Sequence, residues 1–137
     1  MSVSYTTTGR NDRLDLVTTA AGGASFLQIW DGAIPATPDA TPAGTLLASL
    51  ACSATLAAGA AGGVLTIGTI TDDTTANASG TPTFARISTT ETGDGGVVMM
   101  SAGVGGGDLS FDAAIVAGGT VSVTSLTITD GSETTVT

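Results

Sequence analysis

Turn signals made of glycine, proline and aspartate divide this 137-residue chain into short runs rich in threonine and valine, at intervals of about ten residues. Runs of this kind favour β-strands, because threonine and valine pack well on a pleated surface and glycine interrupts it. About seven or eight short strands fit between the turns. The pattern therefore predicts one all-β domain, arranged as a β-sandwich or a jelly roll.

Two of the predicted strands determine how the core is built. Residues 45–53 alternate, which places Leu46, Ala48 and Leu50 on one face of a core strand. In residues 120–129 the apolar phase slips by one position, so a β-bulge or a crossing between sheets would bring its apolar side chains into one core. The other strands are predicted at 25–30, 63–70, 81–89, 97–101 and 108–112, with a flexible glycine-rich turn at 103–107.

The start of the chain differs from this pattern. Residues 11–21 carry apolar side chains at spacings of three and four, which predicts a short amphipathic helix ended by Gly22. The alternation of Leu14 and Leu16 also permits a strand here. The predicted organisation is an N-terminal arm at 1–9, a single domain at 10–130 and a polar C-terminal tail at 131–137.

The charge balance excludes several classes of partner. The chain has twelve acidic residues, three arginines and no lysine or histidine, giving a net charge of −9. No basic stripe is available to neutralise phosphates, so neither nucleic acid nor an anionic membrane is an expected partner. Residues 40–71 carry no charged side chain, but alanine, glycine, serine and threonine dominate them. We interpret that stretch as two strands rather than as a membrane helix.

The chain also lacks the usual residues of catalysis. Without histidine there is no imidazole base or metal ligand, and without lysine there is no Walker A loop or Schiff base. Asp72 and Asp73 are adjacent, which suits two solvated turn residues better than a catalytic pair. Cys52 is the only cysteine and has no basic neighbour in sequence, so it is expected to be a small buried apolar residue. The sequence therefore predicts that the protein is not an enzyme and that it needs no metal or cofactor.

Two arginines near the N-terminus are candidates for partner binding. Arg10 and Arg13 are two of the three cations in the chain and follow the predicted arm. They would dock the arm on an acidic partner surface. The alternative is local pairing with Asp12 or Asp15.

A second group of candidates lies further along the chain. Arg86 shares a strand face with Phe84 and is a candidate interface anchor, although a position at the rim of an interface fits equally well. The 33–44 loop is expected to be stiff and exposed, so that its shape is preorganised for a partner, unless it is an ordinary connection. Its stiffness comes from Pro35, Pro38 and Pro42.

Several groups of residues follow one another in a recognisable order. The first are Arg10-Asn11-x-x-Leu14-Asp15, Leu27-x-Ile29-Trp30-Asp31-Gly32-x-x-Pro35-Ala36-Thr37 and Leu46-Leu47-Ala48. They are followed by Gly80-Thr81-Pro82-Thr83-Phe84-Ala85-Arg86, a glycine-rich turn before Asp108-Leu109, and the closing segment 121–128. Together they cover most of the chain, which resembles the head decoration or cement proteins, a family of small virion proteins of tailed phages.

The resemblance implies a structural role on the outside of a capsid. The partner would be the major capsid protein, and the chain would be made in the host cytoplasm and carried on the virion exterior. Many weak contacts on a closed shell would add up by multivalency. A minor tail protein or a host-binding, adhesin-like β-domain is the alternative.

The composition also favours self-association. Aromatic residues make up only 4% of the chain and charged residues 11%, so the core is built from small apolar side chains and few charges cover the surface. We therefore expect a homo-oligomer, either a dimer or a trimer, which would bury additional surface.

Overall fold

The structure, a computed structural model, describes residues 2–130 and 133–135. This part of the chain is mostly β-structure with one helix, which confirms the predicted β-rich class. The elements in chain order are β1 (Ser2–Ser4), α1 (Thr7–Ala21), β2 (Phe26–Trp30), β3 (Leu46–Ala51), β4 (Val64–Thr66), β5 (Phe84–Ser88), β6 (Gly96–Val104), β7 (Leu109–Phe111), β8 (Thr127–Thr129) and β9 (Glu133–Thr135).

A five-stranded sheet in the order β3-β2-β5-β6-β7 organises the molecule. Two smaller sheets pair β4 with β8 and β1 with β9. One buried apolar cluster contains Leu27 and Ile87 of the large sheet, Leu65 of β4, Leu14 of α1 and Leu126. The core therefore lies between one face of the large sheet, the β4–β8 pair and the helix.

The helix is longer than the sequence pattern predicts. It begins at Thr7, inside the predicted arm, and ends at Ala21, where Gly22 adopts a positive φ of 72°. The Thr6 side chain caps the first turn by accepting a hydrogen bond of 3.1 Å from the Gly9 N–H. Leu14 is buried whereas Leu16 is 65% exposed, which is the outcome expected of a helix and not of a strand.

Two predicted strands are shifted or shortened. In β3 the register with β2 slips at Ile29/Trp30, so that Trp30 pairs with Leu46 and Leu47 is an additional residue. Leu47 is therefore fully buried and Leu46 only partly, which corrects the predicted face. The strand predicted at 63–70 is regular only in β4, and it continues as single bridges.

The strand predicted at 120–129 is mostly irregular. Only β8 is regular, and earlier in the segment Val121 forms a single bridge with Asp73. The expected convergence on one core is nevertheless confirmed. The core side chains from this segment are Val121, Val123 and Leu126, with Ile128 packed against them.

β6 and β7 are parallel neighbours, yet only four residues, 105–108, connect them. Parallel strands usually need a connection of a dozen or more residues. Gly107 makes the short path possible, because its φ is +88° and a Cβ there would lie 3.0 Å from the Ala102 backbone. Asp108, the last residue of this connection, holds it against β6 by accepting a hydrogen bond of 3.0 Å from the Ser101 hydroxyl. The turn expected at 103–107 is thus shorter than predicted, because β6 extends to Val104.

The two ends of the described chain pair with each other. Ser2–Ser4, within the predicted arm, form an antiparallel pair with Glu133–Thr135, within the predicted tail. Met1 and residues 131–132 and 136–137, which also belong to the predicted arm and tail, lie outside the described residues.

Candidate functional site

The candidate site lies on the face of the large sheet that points away from the main core. Gln28 pairs with Arg86, and Trp30 with Phe84, across the antiparallel strands β2 and β5. Because side chains alternate along a strand, these four residues share one face. The sequence correctly predicts that Phe84 and Arg86 lie together.

Arg86 is the centre of this face. Its side chain is 0% exposed, which is rare for an arginine unless its donors are satisfied. Nη1 donates to the carbonyl oxygens of Pro38 at 3.1 Å and Ala40 at 2.9 Å. Nη2 donates to the Gly93 carbonyl at 3.0 Å, and Nε donates to Gln28 Oε1 at 2.7 Å. One guanidinium thus holds together the 33–44 loop, the turn between β5 and β6 (residues 89–95) and the sheet.

Gln28 completes the same network from the neighbouring strand. Its Nε2 donates to the carbonyls of Thr90 at 2.9 Å and Gly93 at 3.0 Å. Its Oε1 also accepts a hydrogen bond of 3.1 Å from Trp30 Nε1. The amide is 0% exposed and is used at both ends, so its orientation is fixed by its partners.

An aromatic pair supports the polar groups. The rings of Trp30 and Phe84 stack with centroids 6.3 Å apart and an interplanar angle of 5°. The Arg86 guanidinium carbon lies 5.5 Å from the Trp30 ring centroid, within the range of a cation–π contact. The buried charge is thereby stabilised on its apolar side as well as by hydrogen bonds.

Asp94 supplies the nearest opposite charge. Its Oδ1 lies 3.6 Å from Arg86 Nη2, and its side chain is 53% exposed. Its Oδ2 accepts a hydrogen bond of 2.8 Å from the Thr41 hydroxyl. Since water screens an exposed carboxylate, the carbonyl oxygens contribute more than this ion pair to holding Arg86.

The ends of the 33–44 loop are fixed separately. The Asp31 N–H donates to the Thr45 carbonyl at 3.1 Å, and Asp31 Oδ1 accepts from the Thr45 N–H at 2.6 Å. Gly44 has to lack a side chain, because a Cβ there would overlap the Asp31 carbonyl. Between these anchors Ile34 is 53% exposed. The loop is therefore held at its ends and in its middle, while its outer side chains face solvent.

The three predicted prolines occupy different positions in this arrangement. The Pro38 carbonyl binds Arg86 directly, so the structure brings together two residues that the sequence identified separately. Pro35 and Pro42 lie half-buried on either side of that contact. Because Arg86 is fully buried, its role in this structure is to hold the loop.

Arg10 and Arg13 lie on α1 and make other contacts. Arg13 Nε lies 3.2 Å from Asp130 Oδ2, and its guanidinium carbon lies 4.3 Å from the Tyr5 ring centroid. Arg10 Nη2 donates to the Thr7 hydroxyl at 3.0 Å. Arg13 thus pairs with an acid distant in sequence, whereas the alternative considered from the sequence was Asp12 or Asp15.

Neighbouring residues tie the helix to the loop before β4. Asn11 Oδ1 accepts a hydrogen bond of 2.9 Å from the Gly63 N–H, and Asp15 Oδ1 accepts one of 2.7 Å from the Ala60 N–H. The Asp15 carboxylate therefore binds the Ala60 backbone N–H and does not serve as the partner of Arg13.

Sequence reasoning missed Gln28, and it predicted a turn at 93–96 without assigning it to the site. The available signal was a polar side chain in the middle of each of two apolar strands, at Gln28 and at Arg86. Two such residues on neighbouring strands indicate a buried polar pair. The turn gives no signal of its own, since its residues are those of any exposed turn.

Two open cavities of about 230 and 280 Å³ adjoin each other beside the edge strand β7. Asp112 is the titratable side chain in the lining of both. One carboxylate does not provide the acid and base that hydrolysis of a glycoside requires. These cavities therefore add no catalytic constellation to the site.

No group of three histidine, cysteine or acidic side chains suited to a metal ion occurs within residues 2–130 and 133–135. Burial raises the pKa of the half-buried Cys52 thiol, so little reactive thiolate forms at neutral pH. Over the same residues, no helix has both the length and the apolar character needed to cross a bilayer.

The candidate site is thus a loop surface that the sheet supports from below through Arg86 and Gln28. The guanidinium nitrogens Nη1 and Nη2 of Arg86 donate to backbone carbonyls of the loop and of the turn after β5, so their role in this structure is to hold these segments. Comparison with protein-family models, with curated proteins and with solved structures found no match to this chain.

Proposed function

We propose that this protein is a structural virion protein that decorates and cements a tailed-phage capsid through protein–protein contacts. The observation that carries the proposal is the 33–44 loop, which a fully buried arginine holds in one conformation. Flexible loops lose conformational entropy when they bind, whereas a loop already fixed retains more of its interaction energy as affinity.

The partner in this proposal is the major capsid protein. A copy would sit across neighbouring shell subunits, with the 33–44 loop and the N-terminal segment that carries Arg10 and Arg13 near the contact. Arg13 remains 47% exposed although it pairs with Asp130, so its guanidinium is accessible to an acidic surface. Many such copies on a closed shell would stabilise it additively.

We also propose that the protein has a two-layer fold and that it self-associates. We infer that β4 and β8 belong to a second layer over the large sheet, as in a β-sandwich or jelly roll, because Leu65 and Leu126 are buried in one cluster with Leu27. We also infer a dimer or trimer. The exposed apolar side chains Leu16 and Val116, at 65% and 66% exposure, are available to such contacts.

A catalytic role is not part of the proposal. The protein is proposed to act without a cofactor, because the acidic side chains that the structure describes are scattered, and Asp31 and Asp94 beside the 33–44 loop accept from a backbone N–H and a hydroxyl.

A host-binding role has less support. Lectin-like modules use exposed aromatic platforms, but Trp30 is 8% exposed and Phe84 is 0% exposed. Tyr5, at 40% exposure, is already covered in part by Arg13. A minor tail protein remains the alternative that the capsid experiment decides.

The decisive experiment uses empty capsids of the phage whose genome encodes this chain, stripped of the protein and then reconstituted with it. The purified protein should cosediment with the shells and raise the temperature at which they open, which a hydrophobic dye or calorimetry follows. Shells that neither bind the protein nor gain thermal resistance would reject the cement role. Binding to purified tails instead would favour the tail alternative.

The contribution of the N-terminal segment has its own test. If the segment docks by charge, the double substitution Arg10→Ala with Arg13→Ala should weaken capsid binding, most strongly at low salt, where screening is weakest. If the segment docks by strand pairing, deletion of residues 1–5, which removes β1 but keeps Thr6 and α1, should abolish binding while the double substitution leaves it near normal.

A further inference from the structure

We propose that the turn at residues 89–95 is part of the same partner-binding surface as the 33–44 loop, and that Arg86 is the positioning residue that couples the two. The inference rests on the proposed function, but it adds a segment that neither the sequence motifs nor the resemblance singles out. It also assigns a binding role to a residue that touches no partner.

The first support is that the same two side chains hold both segments. Arg86 donates to Pro38 and Ala40 of the loop and to Gly93 of the turn. Gln28 donates to Thr90 and again to Gly93. Since each guanidinium nitrogen has a fixed direction, the positions of the loop and turn carbonyls are set relative to each other.

The second support is direct contact between the segments. The Thr41 hydroxyl of the loop donates to Asp94 Oδ2 of the turn at 2.8 Å. Gly96, just after the turn, lies so close to Pro38 that a Cβ would overlap its carbonyl oxygen. The loop therefore contacts the turn directly through Thr41 and Asp94, and it also packs against the first residue of β6 at Gly96.

The third support is that the turn is anchored from below while its upper side is exposed. The Ser49 hydroxyl of β3 donates to the Glu91 carbonyl at 2.8 Å, and Thr90 Oγ1 donates to the Asp94 carbonyl at 2.7 Å. Glu91 and Thr92 are exposed, as is Thr37 on the loop. A fixed backbone with outward side chains on both segments forms one continuous rigid surface.

Three matched threonine-to-arginine substitutions test the composition of this surface. Thr37→Arg places a bulky side chain on the loop, Thr92→Arg places one on the turn, and the exposed Thr120→Arg is the control with the same charge change. On stripped capsids we expect Thr37→Arg and Thr92→Arg each to weaken binding by about tenfold or more relative to Thr120→Arg. All three should melt close to the wild-type temperature, because the replaced side chains are exposed.

The outcomes separate the two proposals. If wild type binds no capsid, the proposed function falls and this inference falls with it. If Thr37→Arg weakens binding but Thr92→Arg binds as well as Thr120→Arg, the cement role stands and the inference is overturned.

Arg86→Lys tests the coupling itself. Lysine keeps the charge but has no planar fork, so it does not reach all three loop and turn carbonyls at once. We expect amide hydrogen exchange to accelerate together at Ala40 in the loop and Thr89 in the turn, while the Ile29 amide in β2 stays protected. Capsid binding should fall at least as far as for Thr92→Arg.

Independent behaviour of the two segments would contradict the coupling. If Ala40 loses protection while Thr89 keeps it, or if Arg86→Lys binds capsids as tightly as wild type, Arg86 does not position the surface. Because exchange is measured on the free protein, this readout does not depend on any capsid.

Discussion

The two faces of β2 and β5 are both buried, but by different means. On the inner face Leu27, Ile29 and Ile87 pack in the apolar core and are 0% exposed. On the outer face Gln28 and Arg86 are equally buried, but hydrogen bonds to backbone carbonyls stabilise them. Each strand thus carries a polar side chain at its centre, Gln28 or Arg86, without having a solvent face.

The comparison shows that a polar residue in the middle of a strand does not by itself identify an exposed face. The inner face depends on volume, since apolar contacts have no direction and tolerate similar shapes. The outer face depends on geometry, since a buried polar group costs energy unless each donor finds an acceptor. The two faces should therefore respond differently to substitutions of the same size.

The largest effect is expected from Arg86→Ala. The Pro38 and Ala40 carbonyls lose their guanidinium donor, and the loop loses its central anchor. The free energy of unfolding should fall by about 3–5 kcal/mol, measured by urea denaturation. The control Arg13→Ala removes a half-exposed ion pair and should cost less than about 1 kcal/mol. Equal losses in the two variants would contradict the structural role of Arg86.

A matched pair of one-methylene deletions compares the faces directly. Gln28→Asn withdraws the amide from the Thr90 and Gly93 carbonyls and should cost about 2–3 kcal/mol. Ile87→Val on the inner face should cost about 0.5–1.5 kcal/mol. Both values come from chemical denaturation under the same conditions. If Ile87→Val were the more damaging, the distinction between the faces would fail.

The close approach of the loop to the sheet predicts an effect of Gly96→Ala. A Cβ at this position overlaps the Pro38 carbonyl, so the loop must move away from the sheet. We expect a loss of about 1–2 kcal/mol, since a surface loop relaxes more easily than a core. Gly106→Ala, where no atom lies within 4 Å of the new Cβ, is the control and should stay within about 0.5 kcal/mol of wild type. Differential scanning calorimetry of both variants measures the difference.

The smallest effect is expected from Asp94→Asn. This change removes the charge opposite Arg86, but the carboxylate is 53% exposed and its attraction is screened by water. The amide oxygen still accepts from Thr41, so the loss should be below about 1 kcal/mol and should shrink further as salt is added. A loss as large as that of Arg86→Ala would mean that the ion pair, and not the carbonyls, holds the arginine.

The sequence predicts the inner face well and the outer face poorly. Strands β2 and β5 are found close to their predicted positions, because a short run of mainly apolar residues between turn signals indicates a buried strand. The same run does not reveal that the 33–44 loop covers Arg86, because the covering segment is distant in the chain. Pairing of Pro38 with Arg86 is a tertiary contact that no local pattern encodes.

Other departures have local causes. The bulge opposite Trp30 changes which leucine of β3 is buried, and such a bulge leaves no mark in the sequence. The helix begins four residues before its predicted start at residue 11, because Thr6 caps a polar first turn that has no apolar periodicity. Residues 120–129 have the composition of a strand, but only Thr127–Thr129 find a regular pairing partner.

Arg86 binds the loop and the turn through main-chain carbonyl oxygens, and these oxygens are present whatever residue occupies the position. Arg86 thus fixes the backbone conformation of the loop and the turn independently of the side chains that these segments carry. Exposed positions such as Thr37, Asp39 and Thr92 are therefore free to change identity while the framework beneath them stays intact. A library randomised at these positions on an unchanged Arg86 and Gln28 should yield folded proteins with new binding specificities, in the way that variable loops diversify on a constant β-framework.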